Sequence, residues 1–181
     1  MNNRSLIETA EKKAYRYELV RSGCCSSVVL ALQEIFGMRN DDVLKAASCF
    51  AGGVGGTHNI CGALAGGVFV LGLRYGWGVK EIAALLNGEP DPRSLDVILL
   101  TRKLVSMFND AYKGTTCAEV QKKIFGRVFS SDNPQDIDEF EKRGGHTEIE
   151  GKPAVCPSVA GRVARWVTEM ICEEEAKENK Q

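Results

Sequence analysis

The chain has 181 residues, enough for one well-buried core and too few for two full-sized domains. Its residues are 44% hydrophobic and 26% charged, an ordinary globular balance that argues against a disordered chain. The formal net charge is -1 and no basic stripe is visible, so the electrostatic footprint of nucleic-acid binding is missing.

The opening segment MNNRSLIETAEKKAYRYELVRSG is polar and charged, without the apolar core of a signal peptide. A cytoplasmic, reducing location is therefore expected. Residues 4–21 read as an amphipathic helix, with Leu6, Ala10, Ala14, Tyr17 and Val20 at helical spacing. Ser22-Gly23 interrupts it, and a second helix runs from about Cys25 to Phe36, where Gly37 stops it. Asn40-Asp41-Asp42 caps a short helix reaching about Ser48.

Gly52-Gly53-Val54-Gly55-Gly56 is a loop too permissive for a helix or strand interior. It lacks the lysine and serine of a P-loop, and its expected role is to remove backbone bulk beside Cys61. A central helix starts there. The apolar run Ile60 to Leu73 is about 14 residues long and holds four glycines, short of the ~20 residues that span a membrane. Gly62 and Gly66, like Ala63 and Gly67, leave a smooth face that another helix can approach closely. That face suggests a soluble core or a homodimer interface.

Gly76-Trp77-Gly78 ends the central helix, and Val79 to Leu86 reads as a short one. Pro90-Asp91-Pro92 turns into a long helix from Arg93 to about Tyr112, its apolar side marked by Leu95, Ile98, Leu99, Val105, Phe108 and Tyr112. Thr116 with Glu119 matches the capping box and starts a helix at Cys117. Residues 130–152 are turn-rich, with a short helix near Asp136–Lys142. Pro157 suits the first helical position, which makes Cys156 the cap of a last helix reaching about Cys172. Residues 173–181 then form a frayed charged tail. No stretch alternates with period two, so the expected fold is all-α: a compact single-domain bundle of seven or eight helices over residues 1–181.

Four of the seven cysteines share one setting. Cys25, Cys61, Cys117 and Cys156 each stand where a helix begins, where unpaired N–H groups and the macrodipole favour a thiolate. Thiolate is the form that binds metals and attacks disulfides. Cys49 and Cys172 lie near helix ends and read as structural. Cys24 is ambiguous, because adjacent helical side chains diverge by about 100° and only one of Cys24 and Cys25 can face a common site. The gaps between the four match no zinc-ribbon or ferredoxin spacing, yet ligands can converge from separate helices of a bundle. His58, in the glycine loop, reads as a polar loop residue, with a ligand or a proton donor as the sharper alternatives. His146 reads as incidental.

These residues resemble a family of redox-active proteins named for its cysteine pattern, C_GCAxxG_C_C, over about residues 20–172. The likeness is carried by Cys25 in CSSVVLAL, by FAGGVGGTHNICGALAGGVFVLGLRYG around Cys61, by TTCAEV at Cys117 and by VCPSVAGRVARWVTEMI at Cys156. It implies an all-helical redox domain, also found in split-Soret-type cytochromes, and suggests an iron–sulfur centre. The chain has no C-x-x-C-H, so covalent haem is not expected. The leading expectation is an electron-transfer protein whose Cys25, Cys61, Cys117 and Cys156 hold an iron–sulfur cluster, with Gly55, Gly56 and Gly62 giving it room. The alternatives are a metal-free thiol–disulfide oxidoreductase and a structural zinc or interaction module. An unidentified redox partner is expected, with no nucleic-acid or membrane role.

Overall fold

A computed structural model describes residues 2–178. Among them are nine α-helices, one more than the upper expectation: α1 (Asn3–Leu19), α2 (Cys24–Phe36), α3 (Asp41–Ala47), α4 (Gly62–Tyr75), α5 (Val79–Leu86), α6 (Asp96–Tyr112), α7 (Cys117–Phe125), α8 (Pro134–Lys142) and α9 (Val155–Glu178). A 3-10 turn, Ser48–Phe50, follows α3. None of these helices is long and apolar enough to cross a membrane.

The starts follow local chemistry. Asn40 Oδ1 accepts the backbone N–H groups of Asp42 and Val43 at 3.1 Å each. Thr116 and Glu119 form the reciprocal capping box, Glu119 N donating to Thr116 Oγ1 at 3.1 Å and Thr116 N to Glu119 Oε2 at 2.9 Å. Each cap satisfies N–H groups that a helix start leaves orphaned.

The core sits where α2, α4, α6 and α9 meet, and Leu32, Leu64, Leu71, Leu104, Phe108, Met170 and Ile171 are its large, fully buried side chains. Burying each such side chain is worth about 1.5–3 kcal/mol. α9 packs along α1 in the opposite direction: Tyr15 accepts the Ala154 amide at its hydroxyl, and Arg165 further along pairs with Glu11 at 2.8 Å.

Four expectations change. The small-residue face of α4 is spent inside the fold. A Cβ on Gly66 would stand 2.7 Å from the Cys25 carbonyl oxygen, and one on Gly67 would meet Leu104 at 2.8 Å and Val163 at 2.9 Å. That face is therefore not open to a second copy. In α6 the buried stripe is Val97, Leu100, Leu104, Phe108 and Tyr112. Leu95, Ile98 and Leu99 are exposed, because α4 and α9 contact the neighbouring stripe of the same helix. α9 begins at Val155, so Cys156 is its second residue and not its cap. It also runs on to Glu178, through residues expected to fray; Glu173 and Glu175 are tied to Lys103 and Arg74. Residues 179–181 of the expected tail lie outside the described residues.

Candidate functional site: a cavity lined by cysteines

The loop between the 3-10 turn and α4 has an unusual winding. Gly52, Gly53, Val54, Gly55 and Gly56 all have φ between 60° and 79°, a left-handed run that L side chains resist and glycine tolerates. His58, at φ 58°, repeats the sign. The loop's end then grips the start of α7. Cys61 N donates to Thr115 O at 2.8 Å, Cys117 N to Asn59 O at 2.7 Å and Ala118 N to His58 O at 3.1 Å. Two cysteines far apart in sequence are thus held by reciprocal backbone bonds.

A similar clasp fixes the third. Val155 N and Cys156 N donate to the carbonyls of Gly144 and Gly145 at 2.8 and 2.9 Å, docking the start of α9 on the turn that carries His146. Cys24 opens α2 after Gly23, whose φ is 93°, and its sulfur lies against Gly62 at the start of α4.

These four helix starts surround one cavity of about 360 Å³. Cys24, Cys61, Cys117 and Cys156 all line it. Its wall is mostly apolar, built from Val120, Val159 and the packed rings of Phe125, Phe129 and Phe140. His58 also borders it, whereas Cys49 is exposed and Cys172 is buried elsewhere along α9.

Cys25 does not line the cavity. It is fully buried in the hydrophobic core, and Cys24 occupies the place expected for it. The reason is phase. α2 begins at Cys24, and one residue turns a helical side chain by about 100°. None of the expected glycines Gly55, Gly56 and Gly62 borders the cavity, though Gly62 touches one of its cysteines. Gly62 is pressed against Cys24, and Gly53 against Cys117, where a Cβ would stand 2.8 Å from Cys117 Cβ. Gly55 has nothing within reach of a Cβ and Gly56 faces Ser131; neither borders the cavity.

Position at a helix start does not give acidic thiols here. Burial pushes the Cys24 thiol up to about 12, and it lifts Cys61, Cys117 and Cys156 as well. At Cys61 the N–H groups of Leu64 and Ala63 act in the opposite direction, but desolvation is the larger effect. Gln121 Nε2 donates to Cys117 Sγ at 3.7 Å while its Oε1 accepts the Phe129 amide at 2.8 Å.

Part of the cavity wall is charged. Glu18, Arg21, Glu141 and His146 border it. Glu18 is only 2% exposed and accepts the Ser27 hydroxyl at 2.9 Å. His146 bridges two carboxylates, with Nε2 3.5 Å from Glu18 Oε1 and Nδ1 2.8 Å from Glu141 Oε1. Arg21 reaches Glu141 at 3.0 Å. His146 thus belongs to the cavity wall and is not incidental. Glu18 and Gln121 carried no sequence signal of their own; a buried helix-end glutamate shows itself only once α8 and its following turn are in place.

Fold and site together define an all-helical protein whose helix starts bring four thiols to one buried space. The chain belongs to the family described as "Putative redox-active protein (C_GCAxxG_C_C)", which it matches over residues 23–170. No curated protein and no solved structure matches the chain.

Proposed function

We propose that this redox-active protein carries electrons on an iron–sulfur cluster held by Cys24, Cys61, Cys117 and Cys156. The observation that carries the reading is the convergence of these four thiols, from four helix starts, on one largely apolar cavity. Thiolates are the usual protein ligands of such clusters, and the apolar surround and the N–H groups directed at the sulfurs would tune their potential.

The donor arrangement also bears on the kind of group. A tetrahedral zinc site draws its sulfurs to about 2.3 Å from one point. Among the described residues no three His, Cys, Asp or Glu side chains are grouped to hold a single ion. Cys24, Cys61, Cys117 and Cys156, which line one cavity, would be the residues that hold the cluster. Glycine at positions 53 and 62 keeps Cβ atoms away from Cys117 and Cys24, so two of the ligands are seated by backbone contact. The cluster would supply one-electron chemistry; the chain's own residues position the sulfurs and exclude water.

The test is iron and acid-labile sulfide content, with the visible charge-transfer absorption, of protein prepared and reconstituted without oxygen. Wild type and Cys25→Ser are expected to hold the cluster, and Cys24→Ser to lose it. Wild-type protein without iron after reconstitution sinks the reading. A reversible disulfide in that metal-free protein, seen as two fewer titratable thiols on oxidation, supports thiol–disulfide exchange instead.

A further inference from the structure

The charged part of the cavity wall plays no part in holding a cluster, and its geometry points to a role of its own. Glu141 accepts four donors: His146 Nδ1 at 2.8 Å, the His146 amide at 3.2 Å, Thr147 Oγ1 at 3.0 Å and Arg21 at 3.0 Å. A carboxylate so surrounded is held ionised, and its pKa is lowered despite partial burial. Nδ1 of His146 therefore donates to it. That leaves Nε2 facing Glu18 Oε1 across 3.5 Å. With no proton between them, a lone pair meets a carboxylate oxygen; with one proton, they form a charge-assisted pair.

The groups around the imidazole come from three elements: Glu18 from α1, Arg21 from the turn after it, and Glu141 from α8. The Phe140 ring meets it edge-on at 5.2 Å between centroids. Outside lies solvent, for Arg21 is 60% exposed at its side chain. Inside lies the cavity with Cys24 and Cys156. The wall thus joins solvent to the thiols through a group that gains from holding one more proton.

We propose that His146, bridged to Glu18 and Glu141, takes up a proton when the cysteine cavity gains an electron, so that the protein's reduction is proton-coupled. One electron enters from a one-electron donor, and one proton moves from solvent to His146 Nε2. An N–H bond forms there, and no other bond is made or broken. The added negative charge in the cavity favours the protonated imidazole, because His146 borders the cavity directly and the rest of the lining is largely apolar and screens little. His146 is a positioning group for charge. The inference rests on the redox reading of the cavity, whatever centre carries the electron.

The experiment is voltammetry of the full chain from pH 5 to 9, with iron and sulfide measured on the same sample. Wild type is expected to show a midpoint potential that falls with pH over one window, at a slope of up to about 59 mV per tenfold change in proton activity for one electron. His146→Gln is expected to lose that window while keeping the wave, and Glu18→Gln to move it to lower pH. A second readout needs no bound group: NMR titration of the metal-free protein should show the His146 ring titrating higher in wild type than in Glu18→Gln. Iron and sulfide present with a pH-independent wave overturns the inference and leaves the cluster reading standing. A His146-dependent window in protein without iron sinks the cluster and keeps the inference. A window that survives His146→Gln overturns the inference, and no wave at all overturns both.

Discussion

Gly62 and Cys24 are packed so tightly that a methyl group at position 62 would fall inside the van der Waals shell of the Cys24 sulfur and 2.5 Å from the Phe50 carbonyl oxygen. The start of α4 is thus the surface on which a cavity thiol of α2 rests. Neither neighbour can yield cheaply, because one is backbone and the other is a short side chain in a buried corner.

Gly62→Ala is therefore expected to destabilise the fold by about 1–3 kcal/mol, as overpacking of a close-packed interior does. It should also displace Cys24 and lower the iron bound on reconstitution. Gly55→Ala is the control. Its φ of 60° makes alanine strained, by roughly 1 kcal/mol, but nothing lies within 4 Å and it is away from the cavity. Denaturant unfolding and iron content of the two variants decide the matter. Equal iron in Gly62→Ala and wild type would show that the contact does not seat a ligand.

Burial of the cavity thiols makes a prediction about the metal-free protein. With the Cys24 thiol raised to about 12, only about one in ten thousand is ionised at pH 8, and thiolate is the reactive form. Exposed Cys49 should be alkylated by iodoacetamide well before any cavity cysteine, read by mass spectrometry of digests. The sign for stability follows from the same shift. A folded pKa above the unfolded value of 9.0 means that the contribution is complete below about pH 9. It is lost as pH rises toward the folded value, at about 1.4 kcal/mol per pH unit for that one thiol. Alkaline unfolding should accordingly be steeper in wild type than in Cys24→Ser. Cavity cysteines that label as fast as Cys49 would contradict this.

The Glu18–His146 pair predicts a second pH dependence, at lower pH. Burial alone would lower the His146 pKa, but the carboxylates of Glu18 and Glu141 raise it above its ordinary 6.5. The stability it contributes is therefore complete below about pH 6.5 and is lost as pH rises through the folded value. The stability gap between wild type and His146→Gln should narrow from pH 5.5 to pH 9, measured by urea midpoints. Glu18→Ala leaves His146 Nε2 without its acceptor, at a cost of about 1–3 kcal/mol, whereas the Ser27 hydroxyl keeps the Gly23 carbonyl at 3.0 Å. A gap that stays constant with pH would show that the imidazole does not titrate in the folded protein.

The sequence made some of this legible and hid the rest for identifiable reasons. The caps at Asn40 and Thr116 were readable because each is settled by residues within one turn. Cys61, Cys117 and Cys156 were readable as helix-start cysteines on the same ground. The choice between Cys24 and Cys25 was not, since it depends on where α2 starts, and a single residue rotates the side chain from core to cavity. In α6, both the stripe Leu95–Ile98–Leu99 and the stripe Val97–Leu100–Leu104 are apolar. Only the positions of α4 and α9 decide which is buried. Glu18 and His146 come from opposite ends of the chain, and no local pattern announces a contact made by docking α9 and its preceding turn on α1.

Two further glycines of α4 separate close packing from backbone freedom. Gly67 lies where three helices meet, and a methyl there would press on Leu104 at 2.8 Å, Val163 at 2.9 Å and Val167 at 3.1 Å. Gly72 is in the same helix, exposed, with nothing within 4 Å and no positive φ. Glycine inside a helix costs about 0.5–1 kcal/mol relative to alanine through the freedom it loses on folding. Gly72→Ala should therefore stabilise the protein by that amount, while Gly67→Ala should destabilise it by about 1–3 kcal/mol. Thermal unfolding of the two variants is the measurement, and opposite shifts in Tm are expected. If Gly67→Ala is also stabilising, then α4 does not pack closely against Leu104 of α6 and Val163 and Val167 of α9.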